Sequence, residues 1–216
     1  MKIINAGYKI LNKNLNGLQM LKDIEKVGRV CYKSEDLITK DGESAKKFVK
    51  MLTKNHHEAM LEHGGTISVL FTVDRGVTHE LVRHRLASFA QESTRYCNYS
   101  HDKFGDEITV IKPYFFEKDS PEYKLWKDSC LQAEKAYFDL LKAGATPQEA
   151  RLVLPTSVKA DITVTANIRE WRHILNLRAA GTTGKPHPQM CEVMVPLLNE
   201  LHQKVPVVFD DITAVL

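Results

Sequence analysis

Hydrophobic positions recur in helical and strand periods along most of this chain. Ile3 and Ile4 predict a short opening strand. Met20, Ile24, Val27 and Cys31 then fall at i, i+4, i+7 and i+11, one face of an amphipathic helix. Asp41 stands where it can cap a second helix, whose inward stripe reads Ala45, Phe48, Val49 and Leu52. Ile67, Val69, Phe71 and Val73 alternate with Thr66, Ser68 and Thr72, a half-buried strand broken only by Leu70. Beyond Gly76 the pattern predicts a helix over 77–86, and residues 99–117 read as irregular apart from a strand at 108–111. Behind Ser120-Pro121, apolar Tyr123, Trp126, Cys130, Ala133, Tyr137 and Leu140 step by three and four in a long helix that Gly144 ends.

Thr146-Pro147-Gln148-Glu149 starts another helix, with Thr as cap and Pro at the first helical position; Pro155 stops it early. Ile162 and Val164 alternate with Thr163 and Thr165 in a second strand. Asn167 closes that strand and can cap the helix predicted over 168–180, with Glu170 three residues on. A loop at 181–186 precedes a last helix, whose buried face is Met190, Val193, Met194, Leu197, Leu198 and Leu201, and which Pro196 should kink. Runs of helices with fewer strands between them predict an α+β fold: an antiparallel or mixed sheet packed with long helices. No repeat, low-complexity stretch or linker divides the chain, so 1–216 is expected to be one domain.

Composition narrows the class. The chain has 216 residues, 43% hydrophobic and 26% charged, which excludes disorder and collagen-like order. A net charge of +3 is too mild to argue by itself for nucleic acid or membrane. Cys31, Cys97, Cys130 and Cys191 form no CxxC pair, so buried, reduced thiols are expected rather than zinc or disulfides. The first residues carry no apolar signal region and no run approaches the ~18 apolar residues of a spanning helix, so a cytoplasmic protein without a membrane partner is expected.

The arginines change the picture. Lysines scatter, but Arg83, Arg85, Arg95 and Arg169, Arg172, Arg178 fall in two short windows. Arginine suits planar, bidentate capture of phosphate or carboxylate. Common chemistries are missing: there is no G-x-G-x-x-G, the 181–186 loop lacks P-loop spacing, His57-Glu58 begins H-E-x-x-H but Leu61 occupies the second histidine position, and there is no G-x-S-x-G. His56, His57 and His63 beside Glu58 and Glu62 allow a metal-dependent hydrolase as one reading. The segment Arg83-His84-Arg85-Leu86-Ala87-Ser88-Phe89-Ala90-Gln91-Glu92-Ser93-Thr94-Arg95-Tyr96 is compatible with a solvated helix end, a phosphate-bearing ligand or single-stranded nucleic acid.

Arg83-His84-Arg85, seven further residues and then Ser93, continuing through Arg95-Tyr96, resembles the signature of the flavin-dependent thymidylate synthases. Matching segments lie at His57-Glu58 and Glu62-His63, at Ala150-Arg151-Leu152-Val153-Leu154-Pro155, and from Asn167-Ile168-Arg169-Glu170-Trp171 through Arg172, His173 and Arg178. The resemblance implies reductive methylation of dUMP to dTMP, with 5,10-methylenetetrahydrofolate as carbon donor and FAD, reduced by NADPH, as hydride source. It also implies a homotetramer with active sites shared between subunits, with no metal and no nucleic-acid partner. Carried over by position, FAD falls to His57, Ala59, Arg83, His84, Arg85, Leu86, Gln91, Asn167, Arg169 and His173. The nucleotide falls to Glu80, Arg83, Gln91, Glu92, Ser93, Thr94, Arg95, Arg151 and Arg178, with Arg178 as the catalytic residue that polarises the uracil. Glu80 stands where members often carry Gln or Arg, and Ala59 where a hydroxyl residue is common.

Overall fold

A computed structural model describes residues 1–100 and 104–215. Its strands are β1 (Lys2–Ile4), β2 (Gly7–Ile10), β3 (Thr66–Asp74), β4 (Ser88–Gln91), β5 (Thr109–Ile111) and β6 (Lys159–Asn167). Its helices are α1 (Gly17–Tyr32), α2 (Glu43–Lys54), α3 (Arg75–Leu81), α4 (Pro121–Lys142), α5 (Pro147–Ala150), α6 (Ile168–Arg178) and α7 (Pro188–Lys204). The expected irregular stretch 99–117 includes 101–103, which lie outside the described residues.

A four-stranded sheet has the order β2-β3-β6-β4, and β1 pairs with β5 in a separate two-stranded sheet. The β1–β5 pair is parallel, with Ile3 opposite Val110. The Ser68 and Thr165 hydroxyls share a hydrogen bond of 2.8 Å, and Thr72, four residues on, donates to Asp161, four residues back, at 2.6 Å. Opposed numbering of that kind makes β3 and β6 antiparallel. Both strands alternate buried and half-exposed positions, and Leu70 lies half-buried on the outer face.

The chain separates into two compact units whose segments interleave in sequence. The first contains Met1–Gly7, Phe71–Arg83 and Phe89–Thr163; the second contains Tyr8–Leu70, His84–Ser88 and Val164–Leu216. In the first, the inner faces of β1, β5 and α4 bury Ile108, Val110, Cys130 and Tyr137. Ser120 caps α4, and Gly144, at φ +98°, turns the chain beyond its end in a conformation that favours glycine. Thr146 caps α5 as expected and, with Glu149, forms a capping box.

In the second unit α1 packs on α2, and α6 on α7. Trp171 is fully buried, and its indole N–H is satisfied by the Ile67 carbonyl at 2.9 Å. Gly17 lies so close to the end of α7 that a Cβ there would sit 2.1 Å from the Lys204 carbonyl oxygen.

The inward face of α1 is Met20, Leu21, Ile24, Glu25 and Gly28, not the expected stripe through Val27 and Cys31. The helix is rotated because Glu25 is buried against polar partners. Its carboxylate accepts from Arg29 at 2.9 Å and from the Ser44 hydroxyl at 2.8 Å. Residue type alone counts such a glutamate as outward. The cysteines depart from expectation too: all four are free, but only Cys130 is buried, Cys97 and Cys191 are partly exposed, and Cys31 is exposed.

Candidate functional site

The strongest sequence segment begins where α3 ends. The helix stops at Leu81 rather than 86, and Arg83 N–H bonds back to the Glu80 carbonyl at 3.3 Å. Arg83-His84-Arg85 therefore lies in a turn, with His84 only 4% exposed while Arg83, Arg85 and Leu86 face outward. Ser88-Phe89-Ala90-Gln91, for which the sequence pattern predicts no element, forms β4.

In the second unit His84 is a junction. Arg178 Nε–H donates to His84 Nε2 at 3.2 Å, and the His173 ring packs edge-on at 5.7 Å between centroids. Burial, then the charges of Arg178 and His173, push the His84 pKa down to about 4. A neutral imidazole with its proton on Nδ1 is what the Arg178 bond requires, so the low pKa and the contact support one another.

The cofactor residues expected on α6 and near His57 also meet in this unit. A cleft of about 340 Å³ is lined by His57, Ala59 and Arg169, together with His56, Glu58, Met60, Tyr32, Leu52 and Cys31. Arg169 is paired with Glu62 at 2.6 Å, both side chains about half exposed. Asn167 caps α6, its side-chain oxygen accepting from Glu170 N–H at 2.9 Å. Arg172, inside the second expected arginine cluster, turns out to be structural. It is 3% exposed and bonds Asp211 at 2.6 Å, Glu58 at 3.3 Å and the Val208 carbonyl, anchoring the chain beyond α7. Burial is the largest single influence and opposes its charge, but the hydrogen bonds and charges of Asp211 and Glu58 together outweigh it and raise the Arg172 pKa.

The first unit carries all but one of the residues expected to meet the nucleotide: Glu80, Arg83, Gln91, Glu92, Ser93, Thr94, Arg95 and Arg151, while Arg178 belongs to the second. Gln91 donates to Thr78 at 3.2 Å. Ser93 Oγ accepts from Arg95 N–H at 3.3 Å, and the Ser93 carbonyl accepts from Cys97 N–H at 2.9 Å, which curls the loop into a turn. Arg151 approaches the buried Thr94 hydroxyl at 3.5 Å, and Arg95 lies against Tyr96 at 5.3 Å in a cation–π contact. Glu92 is mostly committed within the protein: its Oε2 accepts from Lys159 at 2.7 Å and from Asp161 N–H at 3.3 Å. Lys159 and Arg75, which also bonds Glu92, were not singled out from the sequence; an isolated lysine in a strand and an arginine beginning a short helix carry no signal by themselves.

Among the described residues no three His, Cys, Asp or Glu side chains gather as metal ligands. No helix among them is long and apolar enough to cross a membrane.

Residues 16–207 match the family described as "Thymidylate synthase complementing protein". A flavin-dependent thymidylate synthase of Corynebacterium aurimucosum is 31% identical over 203 residues, 87% of this chain and 78% of the relative. The flavin-dependent thymidylate synthase of Pyrococcus abyssi is 38% identical over 122 residues, 56% of this chain and 49% of its own. Among solved structures, the UMP/dUMP methylase PolB from Streptomyces cacaoi bound with 5-Br dUMP superposes with a TM-score of 0.77. It covers 97% of this chain and 96% of its own at 21% identity, a likeness of fold.

Proposed function

Because this chain belongs to the flavin-dependent thymidylate synthases, a family of methyltransferases, we propose that it converts dUMP to dTMP with 5,10-methylenetetrahydrofolate as carbon donor and FAD, reduced by NADPH, as hydride source. The observation that carries the reading is the Arg178–His84 contact: two members of the family pattern, far apart in sequence, joined by one part-buried hydrogen bond.

The residues present fit a flavin dinucleotide in chemistry and in part in size. The cleft at His57, Ala59 and Arg169 combines cationic, imidazole and apolar walls, as a phosphate-bearing ring system needs. Its ≈ 340 Å³ is at the low end of ligand pockets and accommodates part of a dinucleotide, which supports completion of the site by a neighbouring copy in a homotetramer. His57, Ala59, Arg83, His84, Arg85, Leu86, Gln91, Asn167, Arg169 and His173 would hold the cofactor. Arg169 would exchange Glu62 for a phosphate at little cost, because a half-exposed ion pair is worth at most about 1 kcal/mol. When bound, the flavin supplies hydride chemistry that no side chain offers.

The chain's own part is binding and electrostatics. Glu80, Arg83, Gln91, Ser93, Thr94, Arg95 and Arg151 would orient the nucleotide, with arginine guanidinium groups on its phosphate. A uracil accepting hydride at C6 builds negative charge toward C5 and O4, and Arg178 would stabilise that charge on the N3–O4 edge. His84 keeps the guanidinium plane from rotating by accepting its Nε–H. No enzyme nucleophile is required, and Ser93 Oγ serves its own turn as an acceptor.

The test is spectroscopic and then catalytic. Purified protein should be yellow, bleach anaerobically with NADPH, recover in air, and form dTMP from dUMP and methylenetetrahydrofolate. A colourless protein inactivated by a chelator would support the histidine hydrolase instead. Colourless protein that binds single strands with steep salt dependence would support a nucleic-acid module.

A further inference from the structure

Glu92 opens the 92–95 loop given above to the nucleotide, yet it is tied more firmly than any residue after it. Its backbone N–H donates to the Asp161 carbonyl at 2.8 Å, and its own carbonyl accepts from Arg75 Nη2 at 2.9 Å. Its Oε2 accepts from Lys159 Nζ at 2.7 Å. Lys159 also donates to Asp161 Oδ2 at 2.8 Å, while Asp161 Oδ1 accepts from the Thr72 hydroxyl at 2.6 Å. Arg75 is rooted by its backbone N–H on the Thr156 carbonyl at 3.0 Å. The Lys159 and Glu92 side chains are 19% and 11% exposed, so their contact is not a solvated surface bridge. Charge-assisted bonds in such surroundings are the strong ones.

The rest of the loop is held loosely by comparison. Arg95 and Tyr96 are exposed, and the side-chain ties of Thr94 and Arg95 to Arg151 and Gln148 are 3.5 and 3.4 Å long. Its position is therefore set at its first residue.

We propose that Arg75 and Lys159 are positioning residues for nucleotide binding, acting through Glu92 as a brace beneath the 92–95 loop. The proposal rests on the assignment of that loop to dUMP. An unbraced loop samples other conformations, and apparent affinity falls by the fraction of time it is competent. Affinity for dUMP should suffer, while the chemistry of a bound nucleotide and the handling of flavin should not.

The experiment uses the flavin-loaded enzyme carrying Lys159→Met, Lys159→Arg or Arg75→Gln. dUMP affinity is read from the perturbation of the flavin's visible absorbance, beside KM, kcat and anaerobic reduction by NADPH. Lys159→Met and Arg75→Gln should each raise the Kd and KM for dUMP about tenfold or more. They should leave saturating kcat within about threefold and flavin reduction unchanged, and Lys159→Arg should recover most of the loss. Adding Glu92→Gln to Lys159→Met should weaken binding less than it does in the unaltered enzyme, because both act on one brace. Unchanged dUMP affinity in both variants, or loss of kcat with KM intact, overturns the proposal. Should Lys159→Met fail to fold, Arg75→Gln decides alone, since it leaves the Lys159–Glu92 pair in place. If the unaltered enzyme binds no dUMP, the loop assignment itself falls; if it binds and the variants bind equally well, only the brace falls.

Discussion

Replacing Arg178 by lysine separates its proposed role from a merely structural one. The guanidinium bonds His84 through Nε at 3.2 Å, and the mechanism needs further N–H groups of the same plane for the uracil edge. Lysine brings one ammonium on a flexible stem and cannot do both. If the ammonium stays with His84, the developing charge loses a preorganised donor, at about 10²–10³ in rate. If it turns to the uracil, buried Nε2 of His84 is orphaned, at about 1–3 kcal/mol of stability. Burial of His84 favours the first outcome, so Arg178→Lys should keep its flavin, keep its reduction by NADPH and keep its urea midpoint. Formation of dTMP should fall by about 10²–10³, mostly in kcat. Both half-reactions and the unfolding curve are measured on one preparation. Synthesis within tenfold of normal, or flavin reduction and synthesis falling together, would refute the reasoning.

The His84 pKa, pushed down to about 4 from 6.5, makes stability depend on pH in a defined direction. Between those values the unfolded chain binds the proton and the folded one does not, so stability is full above 6.5 and is lost as pH falls toward 4, by roughly 3 kcal/mol; urea unfolding at pH 7, 5 and 4 should show this loss, and His84→Gln should flatten it. Arg172→Met should cost about 3 kcal/mol in the same assay, because it strands Glu58 and Asp211, with Asp211 about half exposed and so partly relieved by water. Ser93→Ala should weaken dUMP binding yet retain measurable synthesis; trapping a covalent Ser93–uracil adduct would overturn the absence of an enzyme nucleophile.

Elements with their own caps and long periods were legible in the sequence. The α4 stripe through Tyr123, Cys130 and Tyr137 and the caps at Thr146 and Asn167 are local properties. What failed depended on partners distant in sequence. The face of α1 turned on burying Glu25 against Ser44 of α2. β4 is four residues with polar ends, too short to show a period, and exists because β6 pairs with it. The arginine windows were visible, but composition could not separate Arg172, spent on holding Asp211, from Arg178, held by His84. Those partners lie 39 and 94 residues away.

Arginine placement against the helix dipole separates the informative cases further. β3 and β6 each pass directly into a helix, and the last strand residue is the cap: Asp74 accepts from Val77 N–H and Asn167 from Glu170 N–H, both at 2.9 Å. With no connecting loop, the direction of each helix start is fixed by its strand. Arg75 and Arg169 sit in those first turns, where the positive dipole end disfavours a cation. Neither arginine is there for the helix's benefit, and each is offset by an acceptor, the Glu92 carbonyl for Arg75 and the Glu62 carboxylate for Arg169. Arg178 stands in the last turn of α6, where any cation is comfortable, so its position alone says nothing about function. Its argument has to come from the neutral, buried His84 that accepts its Nε–H, a partner that helix stability does not require.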